Sequence, residues 1–144
     1  FHDLGQLLIA VALHEEYLQV QRLLGMEFGT PVECEMEVIG VSHADLSADA
    51  LAIWNLPPAI QRAVRFHHQP QLEPTDGKGK FGLALAIACS EAYTEMQHPR
   101  RPETPGHNNE APLEPFAPLG IKGNQQDILG EYEIELEAIT NLFH

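Results

Sequence analysis

Positive charge is scarce in this chain. Eight Lys and Arg residues stand against 21 Asp and Glu, a formal net charge of −13. Such a balance repels phosphate backbones and anionic bilayers, which excludes nucleic acid and membrane surfaces as direct partners. An anionic small substrate could bind only where a metal or a local basic group reverses the field. Cysteine is scarce too. Cys34 and Cys89 lie far apart, with neither metal-type spacing nor a disulfide framework, which fits a reduced cytoplasmic setting. No apolar run approaches the roughly 20 residues of a membrane span. The opening Phe1-His2-Asp3 lacks the basic segment of a signal peptide. Strand-like alternation and internal repeats are both missing, which excludes sheet and solenoid architectures.

What is present is helical periodicity. With 144 residues and 44% apolar content the chain suits one domain with a sizeable core. Leu4, Leu7, Leu8 and Val11 recur at helical spacing, and Leu13, Tyr17, Val20 and Leu24 form the stripe of a second helix ending near Gly25. Thr30 caps a third, with Pro31 in its first turn, running to about Ile39. Gly40 breaks it. Ser42 then caps a helix carrying Leu46, Ala50, Ile53 and Trp54, with Asp45 in the capping-box position and Trp54 as a core anchor. Asn55-Leu56-Pro57-Pro58 is a sharp break before a fifth helix with Ile60, Ala63, Val64 and His67.

The stretch from Gln69 to Lys80 reads as a loop, in which Lys78 and Lys80 belong to a solvated turn. Phe81 to Met96 is an Ala-rich helix suited to close helix–helix contact. Residues 98–118 hold six prolines and read as a long surface excursion. Asp127 caps a final helix with Tyr132, Leu136, Ile139 and Phe143 on one stripe. The expected architecture is all-α, an irregular helical bundle. The chain has no initiator Met and opens in the middle of an apolar pattern, so it reads as one domain, 1–144, without its N-terminal helices. That reading predicts an uncovered apolar patch near Leu4, Leu7 and Leu8, open to self-association.

Five residues carry metal chemistry by type: His2, Asp3, His43, His67 and His68. Imidazole and carboxylate together suit first-row divalent metals. Taken singly, each is more often a structural residue than a ligand. His67 falls on the apolar stripe of its helix, where a buried imidazole needs partners for both nitrogens, and a metal is one way to supply them. His14, His98, His107 and His144 show no ligand spacing. Glu15-Glu16 and the Glu-rich last helix read as solvated faces.

The string His2-Asp3-Leu4-Gly5 resembles the signature of the HD metal-dependent phosphohydrolases. The segment from Glu35 through Gly40 and His43, then Trp54-Asn-Leu-Pro57 and His67-His68, is similar to the HDOD branch in order and spacing over roughly Phe1 to Met96. The resemblance implies an HD-type helical bundle in which His2, Asp3, His43, His67 and His68 converge on one pocket. There they would hold one or two divalent ions (iron, manganese, zinc or magnesium) that activate water against a phosphoester.

The departures are specific. Gln6 stands where catalytic relatives carry Lys. Ser90, with Glu91 beside it, stands where they carry Asp, and the Gly-Tyr-Pro motif of one phosphodiesterase branch is absent. These favour a bacterial signal-transduction output module that works through contacts with other signalling proteins or domains. The alternative is an active HD-type phosphohydrolase acting on a nucleotide or other phosphoester, favoured by the retained His and Asp set.

Overall fold

The computed structural model describes residues 1–74, 82–97 and 116–120. Six α-helices fill these stretches: α1 (Leu4–Ala12), α2 (His14–Gly25), α3 (Pro31–Val38), α4 (His43–Ile53), α5 (Pro58–Arg65) and α6 (Leu83–Gln97). Two single 3-10 turns, Pro70–Leu72 and Ala117–Leu119, complete them, and no strand occurs among the described residues. The fold is the all-α bundle expected. None of these helices is long and apolar enough to cross a membrane. The final helix expected from Asp127, the Lys78–Lys80 turn, and His98, His107 and His144 lie outside the described residues, as does 98–115 of the Pro-rich stretch.

Local chemistry sets the helix ends. Thr30 accepts from the Glu33 amide while the Glu33 carboxylate accepts from the Thr30 amide at 2.7 Å, a full capping box ahead of Pro31. Ser42 accepts from the Asp45 amide, and its hydroxyl donates to the Asp45 carboxylate at 2.7 Å. Gly40 ends α3 at φ +79, with its amide on the Met36 carbonyl. Asn55 performs the same turn after α4 at φ 57, and the Leu56 amide reaches back to the Leu51 carbonyl.

Helix α4 is the centre of the bundle, packed against α1 on one side and α5 on the other, with α6 lying on α5. Its buried face is Ala44, Ser47, Ala48 and Leu51. The stripe expected from hydropathy is therefore shifted: Ile53 is exposed, and Trp54, expected as a core anchor, is 54% exposed. Small residues face α1 because the two backbones nearly touch. A Cβ on Gly5 would land on the His43 carbonyl, and the Gly5 amide donates to Ser47 Oγ at 2.7 Å. This crossing brings the residues just before α1 beside the first turn of α4. On its outer side α1 leaves Leu7, Leu8 and Val11 exposed, with Phe1 nearby in sequence, whereas Leu4, expected in the same patch, is half-buried.

Candidate metal centre

Each candidate side chain sits at a helix end, and the packing of α1, α4 and α5 brings those ends together. Asp3 occupies the N-cap position of α1 but makes no side-chain cap, so its carboxylate is available elsewhere. His43 opens α4. His67 and His68 follow the C-terminus of α5. All five residues expected from the sequence converge.

Asp3 lies at the middle. Its Oδ1 is 3.3 Å from His43 Nε2 and 3.7 Å from His67 Nε2, while its Oδ2 is 3.3 Å from His2 Nε2. His68 Nε2 approaches His43 Nε2 at 2.8 Å. His43 and His67 are essentially fully buried, and each has its other ring nitrogen occupied. His43 Nδ1 is 2.7 Å from the Glu35 carboxylate, and His67 Nδ1 is 2.6 Å from the Val64 carbonyl. With Nδ1 of each ring turned to these acceptors, both rings aim Nε2 towards Asp3.

Two atoms in this group, Asp3 Oδ1 and His67 Nε2, are buried with no hydrogen-bond partner. Unsatisfied buried polar atoms are costly and rare, and here two of them face one another among nitrogen and oxygen donors. Asp3, His43, His67 and His68 each place one ligand atom within 4.8 Å of the others, and His2, Asp3 and Glu91 form a second such set. Imidazole with carboxylate is the donor chemistry of divalent iron, manganese and zinc, so the residues present fit a metal.

The electrostatics are those of a tightly coupled cluster. The His43 and then the His67 imidazole, facing it at 3.3 and 3.7 Å, hold the Asp3 carboxyl well below the usual carboxylate range. Burial works against charge on His43, but the neighbouring Asp3 and Glu35 carboxylates outweigh it and push the imidazole up to about 9. Burial, with the neighbouring charge of His67 and His43, brings His68 down to about 4.

Ser90 does not hold the position expected of it. Its hydroxyl bonds back to the Ala86 carbonyl on its own helix, on an exposed face. The neighbour Glu91 faces the site instead, with Oε1 3.1 Å from His2 Nε2 and 4.0 Å from His67 Nε2. One residue is about 100° of helix rotation, enough to move a side chain from the donor cluster to the exposed rim of the cleft above it. The carboxylate counted as lost is thus supplied by the next residue. Glu35 was also overlooked as a participant. Its signal was its place eight residues before His43, across a helix break marked by Gly40.

A cleft of about 440 Å3 opens over this group, lined by His2, Asp3, Ser90, Glu91 and Thr94 among others, with no Lys or Arg among the described residues of its lining. Gln6 lines a different cavity, on the far side of Glu35.

No curated protein and no solved structure gives a significant match to the chain. The family model for the HDOD domain matches residues 1–70. That stretch holds every imidazole of the cluster together with Asp3 and Glu35, while Glu91 lies beyond it. Over residues 1–70 the chain is thus similar to the HDOD domain family.

Proposed function

We propose that this HDOD domain is a signalling output module that holds a divalent metal and passes its state to protein partners. The observation that carries the metal reading is the pair of buried, unpartnered atoms, Asp3 Oδ1 and His67 Nε2, facing each other inside a ring of donors. Asp3, His43, His67 and His68 would supply the nitrogen-rich position. His2 and Glu91, sharing Asp3, would supply an oxygen-rich one beside it. The partner reading rests on the exposed apolar face of α1, with Leu7 at 61% and Val11 at 76% exposure. Partners of low net charge or basic surface suit a chain of charge −13.

A second reading, metal-dependent phosphoester hydrolysis, draws on Glu91. With that carboxylate in place the donor set is fuller than the sequence suggested. A metal there would lower the pKa of bound water and polarise a phosphoryl oxygen. Asp3 and Glu91 would orient the water and hold its proton, and the His2 edge of the cleft would admit the ester. Among the described residues the cleft lining holds no Lys or Arg to steady the remaining phosphate charge.

Elemental analysis of protein purified without chelator tests the metal reading, with iron, manganese or zinc near stoichiometric as the expected result. Hydrolysis of bis(p-nitrophenyl) phosphate with added Mn²⁺ then separates the two functions. No turnover above an Asp3→Ala control is expected. Turnover that this substitution abolishes would establish the enzyme.

A further inference from the structure

Glu35 is a buried carboxylate, 4% exposed, that belongs to neither ligand set. The reversal at Gly40 folds the end of α3 back against the start of α4 and brings Glu35 onto His43. Its Oε2 accepts the His43 backbone N–H at 2.7 Å and lies 2.7 Å from His43 Nδ1, with Oε1 2.9 Å from the same nitrogen. One carboxylate therefore fixes both the main chain and the ring of a candidate ligand. On its far side Glu35 borders a cavity of about 450 Å3 shared with Gln6, Tyr17 and Gln21.

The two buried imidazoles differ in this respect. His67 rests its Nδ1 on a neutral carbonyl, that of Val64. His43 rests its own on a full negative charge. A carboxylate behind the ring polarises the Nδ1–H bond, raises electron density at Nε2 and forbids the tautomer with the proton on Nε2. Nε2 is the atom that faces Asp3 and His68.

We propose that Glu35 is the positioning residue of the metal centre, holding His43 with Nδ1 protonated and Nε2 aimed at Asp3, and thereby setting metal affinity. The inference rests on the metal reading above and names the residue that tunes it. A plainer role competes with it. His43 is the first residue of α4, so Glu35 also satisfies an orphan helix N–H and sits favourably at the positive end of that helix. A cap needs only an acceptor oxygen, whereas tuning the ring needs the charge.

Glu35→Gln separates the two roles, because it keeps the size and one acceptor but removes the charge. Zn²⁺ affinity is measured by competition with a chromophoric chelator, alongside thermal melts of the metal-free proteins. Long-range ¹⁵N–¹H spectra of the zinc-loaded parent read the His43 ring. The expected result is zinc binding weaker by about 10- to 100-fold in Glu35→Gln, the range for loss of a residue behind a ligand. The parent ring should show Nδ1 protonated and Nε2 metal-bound. Affinity within twofold of the parent in a folded Glu35→Gln overturns the inference and leaves Glu35 a cap. So does zinc on His43 Nδ1, a result that decides the matter even if the variant does not fold. A parent that takes up no zinc or other divalent metal overturns the metal reading as well, so the two failures are distinguishable.

Discussion

The inner and outer halves of the cluster are built differently. His43 and His67 are buried and each is held by a hydrogen bond to Nδ1, so their Nε2 atoms reach Asp3 from fixed directions. His2 and His68 stand open to solvent on one side, and Glu91 reaches in from α6. Rings already fixed lose little freedom when they bind, whereas exposed side chains must be ordered first. For a metal held as proposed, the inner half would therefore carry affinity and the outer half access and adjustment. The same division separates Glu35, locked beneath His43, from Glu91, at the edge of a cleft.

The largest effect should come from breaking the scaffold under the inner half. In Gly5→Ala the new methyl meets the His43 main chain, which cannot yield as a flexible side chain could. Overpacking of this kind costs about 3 kcal/mol or more. Chemical denaturation should show that loss, and any folded fraction should bind metal poorly because Asp3 is pushed from His43. Near-parental stability would mean that the two helices separate easily, and the inner half would then be no more rigid than the outer.

Next in size is the contrast between the halves themselves. His67→Ala should weaken zinc binding by more than about a hundredfold, beyond the range seen for residues that merely support a ligand. His2→Ala should weaken it by about tenfold, as expected where a partly exposed ligand at a neighbouring position is lost. Chelator competition on both variants gives the ratio. Equal losses would erase the distinction drawn here.

The smallest effect belongs to Ser90→Asp. Ser90 lines the cleft at its exposed rim with its hydroxyl tied to the Ala86 carbonyl, so the substitution should change stability by less than about 0.5 kcal/mol and leave the metal-dependent shift in melting temperature unchanged. A larger shift than the parent would place residue 90 in the site and displace Glu91 from it.

How much of this was legible in the sequence divides along similar lines. Thr30, Ser42 and Gly40 were readable because caps and reversals depend on a few adjacent residues. The ligand types were readable because imidazole pairs and a His-Asp string are local. The face of α4 was not. Ala44, Ser47 and Ala48 are buried because α1 approaches too closely for anything larger, and small residues carry little hydropathy signal. Trp54 was misjudged for a related reason. It falls where α4 turns out through Asn55, and that turn carries the indole into solvent. Ser90 and Glu91 could not be told apart by spacing, since the rotation of α6 is fixed by packing on α5 rather than by its own residues.

Trp54 has an optical consequence. It is the only indole in the chain, so tryptophan emission from the whole protein originates at the end of α4. That helix has 11 residues, which sets the indole roughly 16 Å along the axis from His43. An indole already half in water changes colour little when the chain unfolds, which makes it a poor reporter of melting. Anything that docks over the Ile53–Trp54 corner would dry it and move its emission to the blue. The same side chain that contributes little to the core thus serves as a built-in dye for contacts at that corner.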